Sequence, residues 1–88
     1  MKAVVTVIGK DKVGIIAPVA QKLSEHGLNI EDISQTVMQD FFTMMMMVDV
    51  TNVSDFSALA KSLEETGREI GVTIHIQHED IFNAMHKI

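Results

Sequence analysis

The segment that joins the first two predicted elements decides how this chain begins to fold. It reads Gly9-Lys10-Asp11-Lys12-Val13-Gly14-Ile15, and it follows the β-branched run Ala3–Ile8 and precedes apolar residues at helical spacing. A strand must therefore give way to a helix within this loop. The start of a helix exposes backbone N–H groups and the positive end of the helix dipole. The loop thus predicts a binding site for a small anion such as a carboxylate.

The apolar periodicity of the rest of the chain predicts the order β-α-β-β-α-β. In chain order we expect a strand over 3–8, a helix over 15–26, a strand over 28–39, a strand over 41–50, a helix over 56–70 and a strand over 72–77. The third element has mixed polarity, which is typical of an edge strand with one wet face. The first strand is rich in β-branched residues and is expected to be buried on both sides.

Glycine, proline and small polar residues set the predicted boundaries of the helices. Pro18 must lie near the first turn of its helix, because further along it would remove a backbone hydrogen bond. Gly27 and Gly71 are natural helix terminators. Asn52 or Ser54 is expected to cap the second helix. The turn at 39–40 lacks glycine, so the sequence leaves its type open.

The predicted fold class is α+β, in the form of a ferredoxin-like βαββαβ sandwich. Its crossovers are expected to be right-handed, with both helices on one face of the sheet. We expect a single domain over residues 1–88, with the core over 1–79 and a short C-terminal helix over 80–88. Asp80 is the predicted cap of that last helix.

Composition limits the classes of partner. A chain of 88 residues buries only about 60% of its unfolded surface, so it should gain from a partner chain. The net charge of −5 and the single arginine, Arg68, disfavour direct binding of nucleic acid. No apolar run approaches the roughly 20 residues of a membrane span. The absence of cysteine excludes thiolate chemistry and fits a cytoplasmic protein.

With this order and this loop, the chain resembles the ACT domain over residues 1–79. The resemblance is carried by the loop over 9–15 and by Gly27-Leu28-Asn29-Ile30. The run over 77–88 resembles the tail of a family of small stand-alone ACT proteins of uncharacterised function, which are similar to the ACT-type regulator of the glycine cleavage system. Many ACT loops carry a proline before the second glycine, where this chain has Val13. The resemblance implies a non-enzymatic regulatory module that binds amino acids at a dimer interface.

An amino-acid ligand would need partners for two charges. The backbone N–H groups of Val13, Gly14 and Ile15 suit its carboxylate. Asp11 and Asn29 are the candidate acceptors for its ammonium group, and both are expected at the same end of the sheet. Ile30 follows Asn29 and completes the predicted ligand-binding set. In resembling dimers the strand-two residue can come from the partner chain, so the site can be shared. Alternatively, the loop glycines only shape a tight turn and Asp11 is solvated.

The methionine run over 44–47 should split between the two faces of its strand. Phe42, Met44, Met46 and Val48 are expected on the face that the helices cover. Met45 and Met47 then leave an apolar patch on the open face, which the terminal helix or a second chain should cover. His75 and His78 should face opposite sides, so we expect neither a metal site nor a cofactor. No spacing ties a serine to a base, so no catalytic residue is predicted.

Two functions remain open at this point. The first is a homodimeric module that binds a small amino acid in metabolic or transcriptional regulation. The second is a ligand-free dimerisation or interaction module that docks on another regulatory protein through a sheet edge or face. The dimer is expected to form through strand two or through the open face near Met45 and Met47.

Overall fold

The structure, a computed structural model, describes residues 1–10 and 14–80 and confirms the predicted order of elements. The elements are β1 (Lys2–Gly9), α1 (Ile16–Glu25), β2 (Asn29–Met38), β3 (Phe41–Asp49), α2 (Phe56–Ile70) and β4 (Thr73–His78). They form a four-stranded sheet with two helices, which is the predicted ferredoxin-like α+β fold. The predicted C-terminal helix has helical backbone from Glu79, so Asp80 lies within its first turn and is not its cap, and residues 81–88 lie outside the described part of the chain.

The sheet has the strand order β2-β3-β1-β4, and every neighbouring pair is antiparallel. β2 is therefore an edge strand, as predicted. Because β1 and β2 both run antiparallel to β3, they run parallel to each other. The register shows this directly, since Lys2 and Asn29 both pair with Asp49. At the other end of the sheet, Gly9 and Val37 both pair with Phe42.

The hydrophobic core lies between one face of the sheet and the two helices. Successive strand residues point to opposite faces, so every second residue of β3 enters this core. The predicted set is confirmed, because Phe42, Met44, Met46 and Val48 are each at most 2% exposed. Val19 and Leu23 of α1 and Leu59 and Leu63 of α2 pack onto the same cluster.

The predicted burial of β1 on both sides is wrong at its far end. Ala3, Val5 and Val7 face the core and are fully buried, but Ile8 on the other face is 41% exposed. Thr6, also on that face, is half-buried. Neither described helix packs on this open face, so an apolar strand sequence did not guarantee two covered faces.

The helices end where the sequence predicts, but α2 is capped by a different residue. Gly27 and Gly71 follow α1 and α2 with φ of +76° and +81°, in the left-handed region that favours glycine. Neither Asn52 nor Ser54 caps α2. The cap is Asp55, whose backbone is extended and whose Oδ1 accepts the N–H of Ala58 at 3.0 Å.

The β2–β3 hairpin closes through a two-residue turn, because Met38 pairs with Phe41. Gln39 takes a φ of +51°, which is uncommon for a residue with a side chain. No helix among residues 1–10 and 14–80 is long and apolar enough to span a membrane.

Candidate functional site

The start of α1 is the part of the predicted site that the structure describes best. Gly14 has a φ of +75°, and Ile15 follows as the N-cap residue with its side chain only 3% exposed. An isoleucine N-cap has no side-chain oxygen to accept the first N–H groups, and the first turn contains no acidic residue. Pro18, the third helical residue, brings no N–H. The N–H groups of Ile16 and Ala17 therefore start the helix without a side-chain cap.

Two residues of the predicted site, Asp11 and Val13, lie outside the described residues. Their assignment as ligand-binding residues stays a prediction. Ile15 is described, and its buried side chain leaves only its backbone available to a ligand.

Asn29 and Ile30 lie at the opposite end of the sheet from Gly14, so the expectation that both groups share one end is wrong. α1 carries the chain back along the sheet, and β2 therefore starts beside the start of β1. β1 has 8 residues, so its two ends are about 23 Å apart. Within one protomer, Asn29 cannot reach a ligand held at the start of α1.

The surroundings of Asn29 are charged and hydrogen-bonded. Asn29 is exposed and pairs across the sheet with Asp49, while Ile30 packs against the core. The hydroxyl and backbone N–H of Thr51 both donate to Oδ1 of Asp49, which lowers the pKa of that carboxyl. Asp49 therefore stays ionised, and the N-terminal ammonium group of Met1 lies 4.0 Å from its Oδ1.

Sequence reasoning missed Asp49 as a possible acceptor for an ammonium group. The sequence contained an approximate signal for it. Regular pairing counted back from the turn at 39–40 places Asn29 opposite Val50, which is next to Asp49 in the chain. A β-bulge between Ile30 and Asp32 moves the true partner by one residue to Asp49.

The bulged residue of β2, Glu31, forms an ion pair with the first strand. Nζ of Lys2 lies 2.8 Å from Oε1 of Glu31. This hydrogen bond and the charge of Glu31 raise the pKa of Lys2. The pair fixes the start of the edge strand to the strand two places away in the sheet.

The rest of β2 is an exposed edge. Every residue of the strand except Ile30 is exposed. Ile33, Val37 and Met38 are 45%, 58% and 68% exposed, which is high for large apolar side chains. A long apolar edge of this kind offers unpaired backbone groups to another strand.

The open face of the sheet holds the second methionine pair, as predicted. Met45 and Met47 are half-buried and line a shallow pocket of about 190 Å³ together with Val4 and Ser34. That the C-terminal helix or a second chain covers this pocket stays a prediction.

The histidines have separate surroundings. His78 stacks on Phe56 with ring centroids 4.0 Å apart, whereas His75 lies exposed on the other face, as the alternation predicts. Nε2 of His26 lies 3.0 Å from Oγ of Ser62 and links the end of α1 to α2. Within residues 1–10 and 14–80, no three His, Asp or Glu side chains are grouped as metal ligands.

Comparison with known protein families gives one clear match. The sequence pattern of the family described as the ACT domain matches residues 2–77. A "UPF0237 protein" of Listeria innocua is 54% identical over 89 residues, and the alignment covers 100% of both chains.

Solved structures agree with this match. An ACT domain protein from Streptococcus pneumoniae superimposes with a TM-score of 0.86 at 50% identity, covering 98% of both chains. The ligand-free regulatory subunit of aspartate kinase from Thermus thermophilus is 31% identical with a TM-score of 0.65, covering 86% of this chain and 50% of the other. A protein described as a "putative glycine cleavage system transcriptional repressor" shares the fold, with a TM-score of 0.71 at 22% identity and coverage of 86% and 44%.

Proposed function

This chain belongs to the ACT domain family, whose members are typically ligand-binding regulatory modules, and we propose that it senses a small amino acid. In this proposal the protein is a non-enzymatic cytoplasmic homodimer, and each ligand lies between two protomers. The observation that carries the shared site is the separation of Asn29 from the start of α1 by the length of the sheet.

Antiparallel pairing of two β2 strands would remove that separation. A two-fold axis across the middle of β2 places the start of one strand beside the end of the other. Because β1 and β2 are parallel, the end of β2 is level with the β1–α1 loop. Asn29 of the partner subunit would then lie at the same end as Gly14 of the first protomer. The exposed apolar edge of β2 supports this mode of pairing over contact through the open face.

The two halves of such a site have complementary chemistry. The uncapped N–H groups at the start of α1, with those of Val13, Gly14 and Ile15, suit a carboxylate. The side-chain oxygen of Asn29 suits an ammonium group, and the ionised carboxylate of Asp49 lies directly across from it. Asp11 of the loop is a further candidate for the same role. A ligand that carries both charges close together is an α-amino acid.

The size of the ligand limits its affinity. A ligand gains at most about 1.5 kcal/mol per non-hydrogen atom, so the smallest amino acid binds at roughly micromolar affinity at best. Millimolar affinity is the ordinary expectation for so small a ligand, and it suits the sensing of metabolite pools. The similar regulatory subunit of aspartate kinase is described as being in a ligand-free form. That description supports the proposal that this chain also binds a ligand.

The first test is a thermal-shift screen of the purified protein against the twenty amino acids, with molar mass followed by light scattering. We expect a concentration-dependent rise in melting temperature for one amino acid or a few related ones, in a dimer. Asn29→Ala should weaken binding by roughly tenfold or more, because a hydrogen bond to a charged group is lost. Asn52→Ala, another exposed asparagine, is the matched control. A flat screen by calorimetry in a stable dimer would contradict the proposal.

A second test asks whether the site is shared. Asp11→Ala and Asn29→Ala protomers are each expected to bind poorly as homodimers. Mixed one to one, half of the dimers are mixed, and each of those holds one intact site, so about a quarter of the wild-type capacity should return. Failure to regain any capacity on mixing, with exchange of protomers verified by mass, would place both residues in a site within one protomer or in no common site.

A ligand-free interaction module is the second candidate, and the exposed edge of β2 is the observation that favours it. An extended segment of another regulatory protein could add to this edge as a further strand. The screen separates the two candidates, because only the amino-acid sensor gains stability from a small ligand in the absence of a protein partner.

A further inference from the structure

We propose that a second cleft, at the Gly9 end of the sheet, binds a small carboxylate that carries an apolar tail and no amino group. The cleft has a volume of about 400 Å³ and is lined by residues from the end of β1, the start of β3, the last turn of α2 and the start of β4. We call it the Arg68 cleft. Its volume lies within the usual range of small-molecule sites, roughly 300–1,000 Å³.

The charge of the Arg68 cleft is opposite to that of the protein. The chain has a net charge of −5, yet the charged residues that line this cleft are Lys10 and Arg68, and no Asp or Glu is among the lining residues. Among the described residues, the ion pairs involve Met1, Lys2 and Lys22, and neither Lys10 nor Arg68 has a carboxylate within 4.0 Å. Glu64, one turn earlier on α2, is not within that distance of Arg68 either. Within residues 1–10 and 14–80, neither cation is thus held in an ion pair.

The floor of the Arg68 cleft is apolar and partly open to solvent. Ile8 is 41% exposed and Phe41 is 54% exposed, and both line the cleft with the half-buried Val72. Such exposure of two large apolar side chains beside two cations is suited to a ligand that has an apolar body and an anionic head. Apolar walls with a few placed polar groups are the usual composition of a small-molecule site.

Close packing fixes the floor in place. A Cβ atom on Gly67 would lie 2.6 Å from the backbone oxygen of Val72, and one on Gly9 would lie 2.6 Å from Cγ1 of Val72. Val72 is thus held between a strand and a helix that approach it as closely as glycine allows. The part of the cleft formed by Val72 is therefore fixed by close packing.

The donor groups indicate which anion fits. The guanidinium of Arg68 can bind a carboxylate through two parallel hydrogen bonds, and Lys10 adds a flexible second charge. An α-ammonium group would meet two cations there and no acidic side chain among the lining residues. This distinguishes the Arg68 cleft from the proposed amino-acid site, which uses α1 and β2. No lining residue of the cleft comes from α1 or β2.

The test is a ¹H–¹⁵N NMR titration of the protein with 3-phenylpropionate. We expect saturable shifts of the amide signals of Gly67, Gly71 and Thr73. Arg68→Gln should weaken binding by about tenfold, because a charged bidentate partner is removed. Lys10→Gln should weaken it less. The matched control is Lys61→Gln, which removes the same charge from α2 two turns away from Arg68 and should leave binding unchanged.

Neutral 3-phenylpropionamide and inorganic phosphate complete the design. Both should bind much more weakly than the carboxylate, because one lacks the charge and the other lacks the apolar body. Equal shifts with the neutral amide, or equal binding by the Arg68→Gln and Lys61→Gln proteins, would overturn the proposal. Shifts confined to the first turn of α1 would also overturn it. If Arg68→Gln fails to fold, the Lys10→Gln protein and the neutral probe still decide the outcome.

Discussion

β2 and β4 are the two edges of one sheet, and their neighbours differ. β4 has six residues, Ile74 and Ile76 point into the core, and α2 lies along the strand. β2 has ten residues, nine of them exposed, and carries large apolar side chains on its surface. Short, covered edges avoid unwanted pairing, whereas long, bare apolar edges invite it. This chain therefore covers one edge of its sheet with its own helix and leaves the other edge bare.

The protection of β4 depends on a glycine, and replacing it should have the largest effect. Gly67→Ala places a Cβ 2.6 Å from the backbone oxygen of Val72, which joins α2 to β4. We expect the free energy of unfolding to fall by about 2 kcal/mol, because overpacking outweighs the gain in helix propensity. Urea denaturation measures this change.

Ser57→Ala is the control for that experiment, since Ser57 is exposed on α2. It should leave stability unchanged or raise it slightly. If the Gly67→Ala protein were as stable as the wild type, α2 could move away from β4 at no cost in the free energy of unfolding. That result would contradict the claim that close packing of α2 is what covers the β4 edge.

A charge on the bare edge should have a smaller effect, and on assembly rather than folding. Val37 is 58% exposed on β2. If two β2 strands pair, Val37→Lys removes apolar contact and places a charged side chain in the interface, so the dimer should weaken by at least about tenfold. Light scattering across a dilution series measures this. His75→Lys on β4 is the matched control, and a Val37→Lys protein that stays dimeric would rule out pairing through β2.

The smallest effect is expected at the ion pair that fixes the bulge of β2. Glu31→Gln removes the partner that raises the pKa of Lys2, so that pKa should return toward 10.5, as NMR titration of the lysine will show. A raised pKa stabilises the fold below 10.5, and this contribution is lost as pH rises through the pKa of the folded state. The stability difference between the two proteins should therefore close at high pH. Glu69→Gln, on α2, should leave the Lys2 pKa unchanged.

The order of elements and the strand faces could be predicted because they follow from local periodicity. Alternation alone placed Met44 and Met46 in the core and Met45 and Met47 on the open face. Positive φ at Gly27 and Gly71 was predictable for the same local reason. The cap of α2 was not, because Asn52, Ser54 and Asp55 are all good caps and only the path of the backbone selects among them.

The position of Asn29 shows where local reasoning fails. The predicted fold requires α1 to return the chain to the end of the sheet where β1 starts, so Asn29 cannot lie at the same end as the loop. The prediction that β1 is buried on both faces is wrong at Ile8 for a related reason. The sequence of a strand does not indicate which other element, if any, packs on its second face. Both errors concern relations between elements that are distant in sequence.

The parallel alignment of β1 and β2 has a consequence for how ligand binding depends on the concentration of the protein. Under the proposed shared site, a protomer alone carries two half-sites and no whole one. In dilute protein the number of complete sites then rises with the square of the protomer concentration, and ligand draws protomers together by mass action. The amount of protein made by the cell would thus set a threshold below which the amino acid goes undetected.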